Sequence, residues 1–564
     1  MTIISVHDIP GKVITTSFTK SRPNLLRRAI DSFKPALPLN NVSIDTDELE
    51  QGTEEIGLHR KLKNRHLQMI TIGGSIGTGL FVGAGSALAT GGPAALVINF
   101  SIIGFMLFNV CMALGELSVT FPVSGSFAIH SSRFLDPAWG FAMGWNYALS
   151  WLITIPLELT AAGLVIHYWT TSISIAVWIT IFLVILLIIN LFGVQGFGEI
   201  EFFISVIKVV TILGFIILGI VLAVGGGPNR QYLGAKYWHD PGSFAHGFKG
   251  VCSVFVTAAF AFSGTELIGL AAAETANPRK TIPRATKQVF WRITIFYIVS
   301  LTLIGCLVPY NSPRLLNGAS NYDASTSPFV IAIEDAGIKI LPSIFNAVIL
   351  CAVLSVGNSS VYGASRTICA LAECGQAPKV LAYIDRKGRP LSSVVLSMLL
   401  GFIAYINCAQ VGPQVFNWLV AISSLSSFFT WGSICACHIM FRLAWKAQGH
   451  KLDELAFTAP FGIVGSCLGL LMNVVCLIAQ FYIALFPVDG ASSAQAFFEA
   501  YLAAPIVILF YVVWKVWKRT PFQRPTTIDL DTGRCSLDTQ ELIDEERAER
   551  AKWSLWKRVY FKLC

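Results

Sequence analysis

Charge is scarce in this chain of 564 residues: Asp, Glu, Lys and Arg together make up 13%. Soluble proteins carry about 25%. With 54% of residues hydrophobic, such depletion excludes a soluble protein or a single anchored domain, and implies a chain that crosses a membrane many times. A disulfide framework is also missing. Most cysteines sit inside apolar segments, Cys111, Cys306, Cys351 and Cys476 among them, and Cys435-Ala436-Cys437 has the wrong spacing for a CxxC pair. They read as small apolar fillers. No cluster has metal-ligand spacing and no nucleophile–base motif is present, so nothing argues for an enzyme. Nor does the chain open on a signal peptide; its first 66 residues are polar and partly basic, so the first membrane helix is expected to direct insertion.

What is present is length and apolarity. Runs of about 20 apolar residues cross a bilayer core. Twelve are expected: 69–91, 94–121, 138–166, 174–194, 200–224, 248–272, 289–310, 341–370, 391–408, 412–440, 461–486 and 494–517. They divide the chain into an N-terminal tail over 1–66, a transmembrane domain over 67–517 and a C-terminal tail over 518–564. Arg279, Lys280, Arg284, Lys287 and Arg292 fall between spans six and seven; Arg366, Lys379, Arg386, Lys387 and Arg389 fall around the join of spans eight and nine. The opposite loops after spans three, nine and eleven hold no Lys or Arg. By the positive-inside rule both termini are cytoplasmic. The net charge of +8 then reports topology, not nucleic-acid binding.

The first span is interrupted. Gly73-Gly74-Ser75-Ile76-Gly77-Thr78-Gly79 holds four glycines, each costing a helix about 1 kcal/mol relative to alanine. In hydrocarbon a broken helix exposes backbone that lipid cannot satisfy, so a break survives only beside protein or a polar cavity. The half-helix from about Thr78 would aim its free N–H groups at an anionic group. Close helix packing on small residues is the competing reading. A nucleotide loop fits poorly, since no lysine follows in the phosphate-loop position and no strand precedes. Span six repeats the feature in Phe260-Ala261-Phe262-Ser263-Gly264-Thr265-Glu266. Spans one and six are equivalent if two five-helix repeats precede two extra helices, and broken segments at matching positions point to a transporter site.

Ionisable groups inside spans are functional candidates by default. Lys208 is expected about 10 Å into span five, counted from near Glu201 at 1.5 Å per residue. Proton coupling and snorkelling to the interface both fit it. Glu116, late in span two, suits interfacial hydrogen bonding or a proton relay. Glu158, deeper in span three, would tune ligand charge preference or pair with another span. Glu266 would accept hydrogen bonds from backbone N–H groups freed by the second break. His167 and His438, at span ends, read as structural.

In the tails, Lys12, Lys20 and Lys34 are candidates for modification or simply hold the N-terminus inside. The Asn41-Val42-Ser43 sequon reads as a chance match on a cytoplasmic segment. Asp538 and Glu541 have capping-box spacing for a charged helix through Arg550. Trp553, Trp556, Tyr560 and Phe561, interleaved with Lys552, Arg558 and Lys562, suit a membrane surface. Cys564 does not form a prenylation box; palmitoylation would fit it.

A series of local strings runs in order from about 60 to 517. Leu62-Lys63-Asn64-Arg65-His66-Leu67-Gln68-Met69-Ile70 leads into the glycine run. Ala113-Leu114-Gly115-Glu116-Leu117, Ser263-Gly264-Thr265-Glu266-Leu267, Asn277-Pro278-Arg279-Lys280 and Val289-Phe290-Trp291-Arg292-Ile293 follow. Ser355-Val356-Gly357-Asn358-Ser359, Asp385-Arg386-Lys387-Gly388-Arg389-Pro390, Phe416-Asn417-Trp418-Leu419 and Asp453-Glu454-Leu455 complete it. Together they resemble the fungal amino-acid permease family of the amino acid–polyamine–organocation superfamily. The loop Tyr237-Trp238-His239-Asp240-Pro241-Gly242 is similar to that of its general amino-acid permeases.

The resemblance implies an all-α polytopic membrane protein of twelve transmembrane helices: two inverted five-helix repeats with broken helices 1 and 6, plus two extra helices. It implies proton symport of L-amino acids, with broad specificity and alternating access, at the plasma membrane, with internal pools in Golgi, endosome and vacuole. Carried over by motif, the N–H groups of Thr78 and Gly79, beside Gly77, would take the substrate carboxylate. The carbonyls of Ser75, Phe260 and Ser263 would take the α-ammonium, Phe260 would gate the site, and Thr154 and Ser355 would wall it. Lys208 matches a lysine that in a proton-coupled relative stands in place of a sodium ion; Glu266, Glu116 and Glu158 join it as proton-coupling candidates. No metal site or cofactor is expected beyond the coupling proton. Expected partners are membrane lipids and, through the tails, ubiquitin ligases and trafficking machinery, with no nucleic acid. The alternative is a narrower permease or an uncoupled exchanger on the same fold, with or without a nutrient-sensing role.

Overall fold

The computed structural model describes residues 32–35, 62, 64–74, 76–123, 125–275, 278–319, 327–408, 412–488, 490, 492–534 and 552–554. These residues are helical, with short loops and two isolated β-bridges, Pro35 to Asp385 and Leu62 to Thr275. The main helices are α1 (Asn64–Gly73), α2 (Gly79–Thr120), α3 (Ser126–Phe134), α4 (Pro137–Ile166), α5 (Ile175–Leu191), α6 (Gly193–Ala223) and α7 (Gly247–Phe262). They continue as α8 (Leu267–Ala271), α9 (Pro278–Leu307), α10 (Leu341–Glu373), α11 (Leu391–Cys408), α12 (Gly412–Ala447), α13 (Gly462–Leu485), α14 (Ala494–Tyr501) and α15 (Ala503–Lys518). Ser75, Lys12, Lys20, Asn41, the Asp538–Glu541 pair and Cys564 lie outside the described residues.

Nine helices among the described residues are long and apolar enough to cross a membrane, or ten if the bent pair α14 and α15 forms one span. The expected figure of twelve differs for local reasons. α2 runs through two expected spans, kinked where Gly92 sits at φ +82° ahead of Pro93. Proline supplies no N–H, and a loop takes over: Ala94 N–H donates to Ser243 C=O at 2.9 Å, and Ala245 N–H to Gly91 C=O at 3.0 Å. α5, at 17 residues, is short for a span of about 20.

Helices α6 and α9 start earlier than their apolar runs, α6 at Gly193. α9 begins at Pro278, so Arg279, Lys280, Arg284 and Lys287 stand on a helix where a loop is expected. Arg292 is not a loop charge either: it is buried and donates to Thr265 Oγ1. Arg366, also expected near a loop, is buried in α10 with Glu274 Oε1 at 3.1 Å from its Nε.

α6 explains how a charge enters the core. Its buried residues include Glu201, Ser205, Lys208, Ile212, Phe215 and Gly219, at alternating spacings of three and four. The opposite side exposes Phe203, Val206, Val210, Leu213, Ile217 and Ile220. That is an amphipathic helix turned inside out, with polar groups toward the protein and aliphatics toward lipid. α6 packs on α1 and α10, while α4 packs on α10, α12 and α15, and α2 on α7.

The first part of the C-terminal tail, through 534, is docked on the helices. Ile528 and Leu530 are buried with Phe441 and Trp445 of α12. Asp136 caps α4 by accepting from Ala138 N–H at 2.8 Å, with Pro137 at the first helical position. The same carboxylate pairs with Lys515 and accepts from Thr520 Oγ1 at 2.6 Å. The described cysteines are free thiols, with Cys111, Cys435, Cys437 and Cys476 buried.

Candidate functional site

Both interrupted stretches are breaks in helices. α1 ends at Gly73, and the chain passes through non-helical Ile76 and Gly77 before α2 begins with Thr78 as its N-cap. A helix start leaves its first N–H groups without intrahelical partners, here those of Thr78 and Gly79. On the other side α7 ends at Phe262, Ser263 leaves the helix at ψ 144°, and Gly264 at φ +94° turns the chain toward α8. Only glycine adopts that φ without strain.

The breaks face one cavity, lined by Gly77, Thr78, Gly79, Trp151, Thr154, Glu158, Phe260, Ser263 and Val356. Glu158 Oε2 accepts from Thr78 Oγ1 at 2.5 Å, which fixes a carboxylate in the cavity wall beside the start of α2. The cavity therefore offers the N–H groups of a helix start on one side, the backbone of a helix end on the other, and an acid between them. It has the donors and acceptors to hold a small zwitterion.

A second polar cluster lies behind this wall. Lys208 is fully buried, and Nζ donates to Ser355 Oγ at 2.7 Å. Ser355 Oγ donates in turn to Glu201 Oε1 at 2.6 Å, and the direct Lys208–Glu201 separation is 3.9 Å. Two expectations are corrected here. α6 starts at Gly193, so Lys208 lies about 22 Å along it at 1.5 Å per residue and does not snorkel. Ser355 does not line the cavity: its side chain is held by Lys208 and Glu201, and the next residue, Val356, faces the cavity instead.

A family model described as amino acid permease matches residues 66–525. The chain belongs to the amino acid permease family. It is 53% identical to the general amino-acid permease GAP2 of Candida albicans, across 95% of this chain and 92% of that protein. It is 52% identical to the general amino-acid permease GAP1 of Saccharomyces cerevisiae, across 95% and 91%. It is equally 52% identical to cationic amino acid transporter 1 of Schizosaccharomyces pombe, across 96% and 89%. The chain is thus a multi-pass membrane permease, and its family is one of amino-acid transporters, not enzymes.

Two further acids of this permease sit in networks apart from the cavity. Glu266 Oε1 accepts from Gly264 N–H at 3.2 Å and Oε2 from Trp431 Nε1 at 3.1 Å, so it braces the second break. Glu116 is expected near the surface but is fully buried. Arg442 lies 2.5 Å from it and His438 3.1 Å, and Ala459 N–H donates to it at 2.6 Å. It joins α2, α12 and the loop before α13. Replacing Glu116 with Ala strips Arg442 of its buried carboxylate, a change that costs about 3–5 kcal/mol. A marked fall in the melting temperature of the detergent-solubilised permease is the expected result.

Sequence reasoning passed over Glu201, Trp151, Val356 and Glu274. The signal for Glu201 was present: it precedes Lys208 by seven residues, two turns of helix and therefore one face. Glu274, fully buried, accepts from Tyr362 Oη at 2.8 Å as well as from Arg366, tying the end of α8 to α10.

Proposed function

We propose that this permease takes up L-amino acids together with protons across the plasma membrane, by alternating access and with a broad range of side chains. The observation that carries the reading is the cavity shared by two helix breaks. An amino acid is a zwitterion. The first break supplies N–H groups of Thr78 and Gly79 for its carboxylate, and the second supplies carbonyls of Phe260 and Ser263 for its ammonium. Recognition through backbone leaves the substrate side chain to Trp151, Thr154 and Val356, which supports breadth. Phe260 closes the site as its aromatic gate. Lys208, buried one layer behind, is the coupling group, with both termini in the cytoplasm. The tails are where ubiquitin ligases and trafficking machinery would bind.

A second reading is favoured by one residue. Glu158 puts a carboxylate in the cavity wall, which would attract a cationic side chain and narrow the range toward arginine and lysine. Identity does not separate the two readings, since general and cationic relatives match equally well. Competition does. Labelled L-lysine uptake is measured in sodium-free medium against a panel of unlabelled amino acids, with external pH recorded. Broad symport predicts that most of the panel competes and that the medium alkalinises. Competition by cationic amino acids alone selects the narrower permease, and uptake without alkalinisation selects an uncoupled exchanger.

A further inference from the structure

Glu201 is an acid that the substrate cavity does not use. It and Lys208 project from one face of α6, and both are fully buried. Ser355 of α10 stands between them, accepting from Lys208 Nζ at 2.7 Å and donating to Glu201 Oε1 at 2.6 Å. Among the described residues the other carboxylate oxygen, Oε2, is within hydrogen-bonding geometry of no partner, although the Ser205 side chain lies close enough to act on Glu201. The nearby Ser205 hydroxyl donates instead to Met69 C=O at 3.1 Å. Among the described residues, Glu158 on α4 and Cys351 on α10 also act electrostatically on Lys208. Glu158 is itself bonded to Thr78 at the cavity. A row of exchangeable groups therefore leads from the cavity wall through Lys208 and Ser355 to Glu201.

The row has a direction. Glu201 is seven residues closer to the start of α6 than Lys208, about 10 Å along the axis. With a cytoplasmic N-terminus, that end of α6 is the cytoplasmic one. We infer that Glu201 is the proton acceptor for Lys208 on the cytoplasmic side of the substrate cavity, with Ser355 as the relay between them. The inference rests on the proton-coupled reading above. In the transfer, Lys208 Nζ gives a proton to Ser355 Oγ while the Ser355 hydroxyl proton passes to Glu201. Serine ends with one proton, as it began, and the ammonium–carboxylate pair becomes an amine and a carboxylic acid. Both hydrogen bonds are within the distance over which a positioned side chain transfers a proton. A buried ion pair is a reasonable partner for this exchange, because the desolvation of two charges largely cancels their attraction. Neutralising the pair therefore gives up little. Opening of the cytoplasmic side then lets Glu201 release the proton to water.

The test replaces Glu201 with Gln, which keeps the acceptor for Ser355 but takes no proton. In cells expressing the full chain, labelled L-lysine uptake and proton influx are recorded together; lysine is a substrate under both readings. The number of protons carried per lysine is expected to fall at least five-fold, and the rise of uptake at acid external pH to flatten. Glu201→Asp should recover part of that ratio. Uptake and proton influx that decline in step, with the ratio intact, would show Glu201 to be a structural partner only and overturn the inference. Should Glu201→Gln fail to reach the membrane, Ser355→Ala removes the relay alone and carries the test with the same two outcomes. No proton influx in the unaltered protein removes the coupled reading, and this inference with it. Influx whose ratio survives Glu201→Gln removes this inference alone.

Discussion

Gly79→Val is expected to lower uptake at least a hundred-fold while the protein still inserts in the membrane. A Cβ at this position would lie 2.4 Å from Ala261 Cα and 2.8 Å from Ala261 N. Those are backbone atoms in the last turn of α7, beside the second break, and they cannot move aside as a side chain would. The two halves of the cavity would be pried apart where the substrate carboxylate is to bind. Gly77 makes the contrast. A Cβ there meets Val356 Cγ2 at 2.3 Å, a side-chain methyl rather than backbone, so Gly77→Ala should be the milder change. Overpacking of this kind costs about 1–3 kcal/mol of stability, small beside the loss of transport. Labelled uptake, normalised to surface-labelled protein, separates the effects. Normal uptake by Gly79→Val would leave the close approach of α2 and α7 as packing and nothing more.

That contact also bears on a choice the glycine run leaves open in the sequence, between helix packing and a ligand site. The two do not exclude each other at Gly79, which lies against Ala261 and also lines the cavity. The breaks themselves were legible, because four glycines in seven residues weaken a helix and the weaker echo in span six falls at the matching position of a second repeat. So were most of the cavity's lining residues, through the family's motifs. What composition could not convey was pairing across the chain. Arg292 and Arg366 count as loop charges when read along the sequence, yet each is buried by a partner from another element, Thr265 or Glu274. Glu116 meets Arg442 at a separation of 326 residues. Glu201 was lost for a different reason. Taking the apolar run as the whole of span five made it a boundary residue, whereas Gly193 at φ +76° starts α6 eight residues earlier. Ser355 and Val356 show the finest limit, since one step along a helix turns the side chain from the cavity to the ion pair.

Lys208→Ala is expected to abolish uphill accumulation, so that the inside-to-outside ratio of a labelled neutral amino acid settles near one. Every tenfold of accumulation stores about 1.4 kcal/mol, which must come from protons if Lys208 is the group that carries them through the core. Unchanged accumulation would sink the coupling role. Loss of accumulation alone is not decisive, because the amine also balances charge. Its removal leaves Glu201 buried without its cation, and breaking a buried pair costs about 3–5 kcal/mol. A paired substitution distinguishes the two effects. Replacing both members of a buried pair with uncharged residues is often neutral in stability, so Lys208→Met with Glu201→Gln should recover much of the melting temperature lost in Lys208→Ala. Accumulation should not recover with it, since no ionisable pair is left to pass a proton. If accumulation and melting temperature rise together in the double variant, the pair holds α6 to α10 and the protons travel elsewhere.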